Sequence, residues 1–234
     1  MSIEWVKYTT YASIVAQLVT GVIGAKGLVY TLPQPHKILV DALRIEMVVQ
    51  GIELLFYIFL VANLNIFTMA AVRYYDWFIT TPLMLFSTCV IYNYLGFIQG
   101  SSEIKETSLT IHTFIQTHQK SLIAIFFANM FMLIFGYLGE TGKMSLFYAT
   151  FYGFISLAVS MYIVYIEFGH YVKENKYLFY LFVAIWTLYG VVYLLPPIHK
   201  NITYNFLDIV AKNFFGIFLY YKIKDVHSKL PKTV

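Results

Sequence analysis

Long apolar stretches separated by short polar ones run from one end of the chain to the other. Seven such stretches lie at 8–30, 38–63, 67–98, 120–139, 144–170, 177–197 and 201–223. A helix needs about 20 mostly apolar residues to cross the hydrocarbon core of a bilayer. It also satisfies its own backbone hydrogen bonds there, which an open strand does not. Spans and joins together use nearly the whole chain. The pattern therefore predicts an all-α membrane protein, one seven-helix bundle over 1–234.

The joins carry their own signals. Leu32-Pro-Gln-Pro-His36 reads as a hinge, because proline cannot continue a helix. Asn63-Leu-Asn65 and Gly139-Glu-Thr-Gly142 read as turns, and Pro196-Pro197 closes the sixth span. The segment from Gln99 to Gln119 is too polar to span. Ser102 and Glu103 mark a helix start, and Ile104, Ile111 and Ile115 fall on one helical face that Ser108 interrupts. This predicts an amphipathic helix over 103–118 on the membrane surface. The alternative is that the segment prolongs the fourth span beyond the bilayer.

Composition supports the membrane reading. Only 12% of residues are charged, against about 25% in soluble domains. The net charge of +4 does not point to nucleic acid, because the lysines segregate across the membrane. With the N-terminus outside, the inner segments hold Lys37, Lys105, Lys120, Lys173, Lys176, Lys222, Lys224, Lys229 and Lys232. The outer segments hold Lys7, Lys143 and Lys200. Positive charge collects on the cytoplasmic side, so the C-terminus is predicted there. No basic leader with a small-residue cleavage site opens the chain, so the first span is predicted to serve as its own signal. The single cysteine, Cys89, excludes an internal disulfide and reads as ordinary packing.

Ionisable groups deep in a span are costly and usually mark function. Lys212 lies mid-span in Leu207-Asp-Ile-Val-Ala-Lys212, with Asp208 one turn earlier on the same face. Arg73 and Asp76 stand a turn apart in the third span. Two buried ion pairs that only fix packing are one reading. The other uses the lysine amine to condense with an aldehyde, with Asp76 and Asp208 as counter-ions to the protonated product. Trp77 in the third span, and Trp186, Tyr189 and Tyr193 at spacings of three and four in the sixth, offer an aromatic sleeve for a conjugated ligand. Alone they read as core.

Together these segments resemble a known family. Arg73-Tyr-Tyr-Asp-Trp-Phe-Ile-Thr-Thr-Pro-Leu83 looks like the third-helix signature of microbial rhodopsins. Leu207-Asp-Ile-Val-Ala-Lys212 looks like their retinal-lysine signature, and Trp186-Thr-Leu-Tyr189 their sixth-helix pocket. The resemblance covers essentially the whole chain. It implies all-trans retinal held on Lys212 as a protonated Schiff base, isomerising to 13-cis in light. It makes Asp76 the proton acceptor and first counter-ion, Asp208 the second, and Arg73 the arginine beside them. Trp77, Thr81, Met84, Met132, Gly136, Trp186, Tyr189 and Tyr193 match pocket positions. Two glycines depart from the pattern. Gly190 replaces a helix-kinking proline of many members, and Gly153 replaces a bulky aromatic, which leaves a gap beside the retinal ring.

The activity turns on the third helix. Its diagnostic triplet is Asp76, Thr80 and Ser87. Asp76 suits an outward proton pump, but Ser87 is a poor proton donor at the position where a pump carries one. Lys200 falls where a proton-release carboxylate belongs. The second span adds Glu46, Gln50 and Glu53, a polar stripe about 10 Å long at 1.5 Å per residue. Ser13, Gln17 and Thr20 form a second stripe in the first span, and Asn201, Asn205 and Asp208 a third in the last. Acidic side chains lining a pathway are a common source of cation selectivity. The arrangement is similar to channelrhodopsins, and the triplet and short chain look most like group 1 viral rhodopsins. This implies a light-gated channel for monovalent cations. Thr81 and Asn129 stand where algal channels carry a Cys and Asp pair, so kinetics do not transfer. An outward proton pump and a photosensor are the alternatives. Neither enzymatic activity nor a catalytic or metal site is predicted. The partners implied are the bilayer and the cations or protons conducted. A homo-oligomer stays open, since members form dimers, trimers or pentamers.

Overall fold

The computed structural model describes residues 2–106, 109–172 and 176–231. Ser108, Lys173 and Lys232, used above, lie outside the described residues. Among the described residues seven helices follow one another: α1 (Ile3–Gly27), α2 (Lys37–Ala62), α3 (Met69–Ile98), α4 (Ile111–Glu140), α5 (Leu146–Glu167), α6 (Lys176–Val192) and a composite seventh. The seventh consists of α7 (Pro197–Asp208), a π turn (Ile209–Asn213) and α8 (Phe214–Lys229). Each helix packs on the next, and the seventh returns to α1 and α2, so the bundle closes into a ring.

The helices are inside out relative to a soluble protein. α1 buries Thr10, Ser13 and Gln17 while Val15, Leu18, Val19 and Val22 face outward. α2 buries Glu46, Gln50 and Glu53 and exposes Val48, Leu55, Ile58 and Phe59. Apolar surface on this scale is stable against hydrocarbon and not against water. α2, α3, α4 and α5 each have the length and composition to cross a membrane, and α6 is a shorter apolar helix.

Local chemistry sets the ends. Asn65 Oδ1 accepts the amide of Phe67 in the turn between α2 and α3. Gly142 takes a positive φ of 71° after α4, and the amide of Lys143 returns to the carbonyl of Leu138. The Ser145 hydroxyl caps α5 by accepting the amide of Tyr148.

The amphipathic helix predicted over 103–118 is corrected. α3 ends at Ile98, Gly100 follows with φ 79°, and the described residues of 101–110 form no α-helix. Thr110 caps α4, which begins at Ile111 and runs on into the fourth span. A kink at His118 (φ −110°, ψ 17°) divides the two parts. The physical reason lies in Ile104 and Leu109. Both are buried in the protein interior, Ile104 beside Gly96, so these apolar positions belong to the core, while Ile115 on α4 stays exposed.

One half of the bundle is dry. Leu39, Leu43, Leu85, Cys89, Leu219 and Ile223 are almost wholly buried in one apolar cluster toward the end that holds the start of α2. The polar interior lies between that cluster and the opposite end, which holds the start of α1.

Candidate functional site

Lys212 sits in the π turn, where the amide of Phe214 reaches the carbonyl of Ile209 five residues back. Such turns interrupt helices frequently at functional sites. Its ammonium Nζ donates to Asp76 Oδ2 at 2.8 Å. Glu53 Oε1 lies 3.6 Å away and Asp208 Oδ1 3.7 Å. Three carboxylates, from α2, α3 and α7, thus surround one buried amine.

Arg73 is fully buried beside them. It donates to Asp208 at 3.1 Å, to the Tyr57 hydroxyl at 3.0 Å, and to the Asn205 side chain. Its guanidinium carbon lies over the rings of Tyr57 and Tyr204 at 5.3 and 5.8 Å. Tyr57 and Tyr189 each donate to Asp208, at 2.6 and 2.7 Å. Arg73 is therefore the partner of Asp208, while Lys212 is the partner of Asp76. A buried charge persists only when paired and hydrogen-bonded, and each of these four meets that condition.

The polar stripes converge on this centre. Toward the start of α1, the Asn205 side chain donates to Thr9 and Thr10, and the Ser13 hydroxyl donates to its carbonyl at 3.1 Å. Toward the dry half, Gln50 and Asn213 both donate to Thr20, which joins α1, α2 and the seventh helix. Further along, the Ser87 hydroxyl donates to Glu46. Thr80 turns back to the carbonyl of Asp76, and Thr81 to that of Trp77 while accepting from Asn129. Several buried atoms have no protein hydrogen-bond partner: both amide atoms of Gln17, both carboxylate oxygens of Glu53, Glu46 Oε2, Asp76 Oδ1 and Asn213 Oδ1.

On the other side of Lys212 is a cavity of about 100 Å³. All nine residues read from the sequence as pocket positions line it: Lys212, Trp77, Thr81, Met84, Met132, Gly136, Trp186, Tyr189 and Tyr193. The wall opposite Lys212 is α5, with Ala149, Gly153, Phe154 and Leu157. A Cβ on Gly153 would meet nothing nearer than the carbonyl of Met132 at 4.0 Å, so there is room for a methyl group there. The ring of Phe154 occupies the space beside Gly190 instead. Trp77 stands edge-on to Tyr189 and Tyr204, with ring centres 5.6 and 5.0 Å away.

Sequence reasoning missed several members. Tyr204 and Tyr74 line the cavity. Tyr204 stands four residues before Asp208 on the Lys212 face, a spacing that could have revealed it. Asn213 follows Lys212 directly and only the π turn brings it inward. Glu53 was read as pathway alone, although it lies beside Lys212.

The model of the family described as bacteriorhodopsin-like protein matches residues 9–226. The chain belongs to that family. This bacteriorhodopsin-like protein is an integral, multi-pass membrane protein, and lipid is its surroundings. Its fold is similar to that of the viral rhodopsin OLPVRII, at 23% identity and TM-score 0.78, over 94% of this chain and 98% of that one. It is also similar to Exiguobacterium sibiricum rhodopsin, at 18% identity and TM-score 0.72, over 97% and 99%. A third likeness is to the blue light-absorbing proteorhodopsin from Med12, at 18% identity and TM-score 0.69, over 96% and 100%. No curated protein matches the chain. Members of the family normally carry retinal on a lysine. The bacteriorhodopsin-like protein has the donor set for it: an apolar, aromatic cavity with a buried amine in its wall and carboxylates around that amine.

Proposed function

We propose that this protein is a light-gated cation channel whose chromophore is retinal bound to Lys212. The N-terminus would lie outside the cell and the C-terminus in the cytoplasm. Retinal, when bound, supplies light absorption and a change of shape. The chain's own residues do the rest. Trp77, Trp186 and Tyr189 would clamp the polyene, and Asp76 would hold the proton-bearing nitrogen and accept its proton. Loss of that positive charge would remove what Asp76, Glu53 and Asp208 share. Arg73, paired with Asp208, would then be the one cation left beside Glu53 and Asp208, and the polar row from Asn205 through Glu53 to Glu46 would reorganise.

The observation that carries this reading is the row of buried polar atoms without protein partners on α1, α2, α3 and the seventh helix. Buried polar groups are nearly always hydrogen-bonded, so water or a passing cation is the partner this row suits. Acidic groups at intervals along it, Glu46 and Glu53, favour cations. The apolar cluster around Leu43, Leu85 and Leu219 would close the row toward the cytoplasm in the dark.

One contact favours the second reading, an outward proton pump. Glu46 sits against Ser87, so a carboxylate is present where the third helix lacks a donor. Photocurrents at several voltages, in sodium, potassium and proton gradients, separate the two. A channel gives currents that reverse near the cation equilibrium potential. Outward current at every voltage in symmetric salt would establish the pump. A colourless protein from retinal-fed cells would remove both.

A further inference from the structure

At the end of the bundle that holds the start of α1, Lys200 is buried, although it is a lysine near a helix start. Its Nζ lies 2.8 and 3.0 Å from the two carboxylate oxygens of Glu140, the last residue of α4. The same ammonium lies 5.1 Å from the ring centre of Tyr193, which lines the cavity. Tyr193 in turn donates to the carbonyl of Gly136, another lining residue. α4 packs on α3 and α5, while α7 packs on α1, α3 and α6. The ion pair therefore joins two helices on opposite sides of the cavity, with a pocket tyrosine beneath it.

The sign of the charge matters. A carboxylate at position 200 would repel Glu140 and leave the two helix ends apart. The lysine draws them together, and burial makes the pair costly to break on one side only, because the remaining charge stays unpaired.

We propose that Lys200 and Glu140 form a latch over the chromophore cavity: positioning residues that hold Tyr193 against Gly136 and keep water-borne molecules out from this face. The inference rests on the retinal reading but not on the channel. Its test is bleaching of the retinal-loaded protein by hydroxylamine in the dark, followed by the visible band. Lys200→Met and Glu140→Gln should each bleach several-fold faster than the unchanged protein. The exchanged pair, Lys200→Glu with Glu140→Lys, should bleach at nearly the original rate. Where a single variant yields no pigment, Lys200→Arg and Glu140→Asp keep the charges and lengthen or shorten the pair; each should bleach faster than the unchanged protein, and an unchanged rate in both would overturn the latch. Neutral variants that bleach at the unchanged rate would overturn the latch, as would an exchanged pair that bleaches as fast as the single variants. An unchanged protein without a visible band strikes the retinal reading instead.

Discussion

Lys212 hydrogen-bonds to Asp76 across the bundle at 2.8 Å, and not to Asp208, which stands one turn away on its own helix at 3.7 Å. The reason is that Asp208 is already engaged by Tyr57, Tyr189 and Arg73. Asp76 has no other side-chain partner, and its second oxygen has none at all. A counter-ion that faces the nitrogen directly stabilises the ground state of a protonated pigment most. Asp76→Asn should therefore shift the visible band further to the red than Asp208→Asn. Absorption spectra of the two purified variants check this ordering, and an equal or reversed shift contradicts it.

The two acids of α2 should separate by their distance from the amine. Glu53 lies 3.6 Å from Lys212, whereas Glu46 is two turns farther along and bonded to Ser87. Glu53→Gln is expected to move the band. Glu46→Gln should leave the band nearly in place while reducing photocurrent several-fold. Spectra and whole-cell currents recorded on the same two variants test both halves.

Arg73 is a fully buried cation whose removal leaves Asp208 inside the bundle without its charge partner. Arg73→Met should cost about 3–5 kcal/mol, the usual penalty for breaking one side of a buried pair. Tyr57→Phe removes the bond donated to Asp208 and the one accepted from Arg73, and should cost less, about 1.5–3 kcal/mol. Thermal bleaching midpoints in detergent should fall in that order.

Two cavity glycines should respond in opposite ways to the same added methyl. At Gly136 a Cβ would press on the ring of Tyr74, with ring carbons at 3.0 Å, so Gly136→Ala should lose about 1–3 kcal/mol and take up retinal more slowly. At Gly153 the nearest atom is 4.0 Å away, so Gly153→Ala should be neutral or gain about 0.5–1 kcal/mol from helix propensity. Regeneration rates and melting points of the two variants decide it.

Charge in a span is the strongest signal this sequence holds, and it led directly to Lys212, Asp76, Asp208 and Arg73. The structure brings these four together because a buried charge must find its opposite. What periodicity could not reveal was who pairs with whom. Arg73 and Asp76 are near in sequence, yet each takes its partner from the seventh helix. The nearness of Glu53 to Lys212 depends on how α2 rotates against α3, which no local pattern records. The segment after α3 misled for a related reason. Ile104, Ile111 and Ile115 fit a surface stripe by spacing, and only the fold shows that protein covers Ile104 while Ile115 stays exposed.

The π turn at Ile209–Asn213 adds one residue to an otherwise regular helix. One surplus residue puts the stretch after Asn213 about 100° out of phase with the stretch before Asp208. Aligned to a relative whose last helix is uninterrupted, the two stretches would need a one-residue gap between them. Deleting Val210 would remove the surplus and carry the amine of Lys212 away from Asp76, leaving the helix intact and its chemistry misdirected.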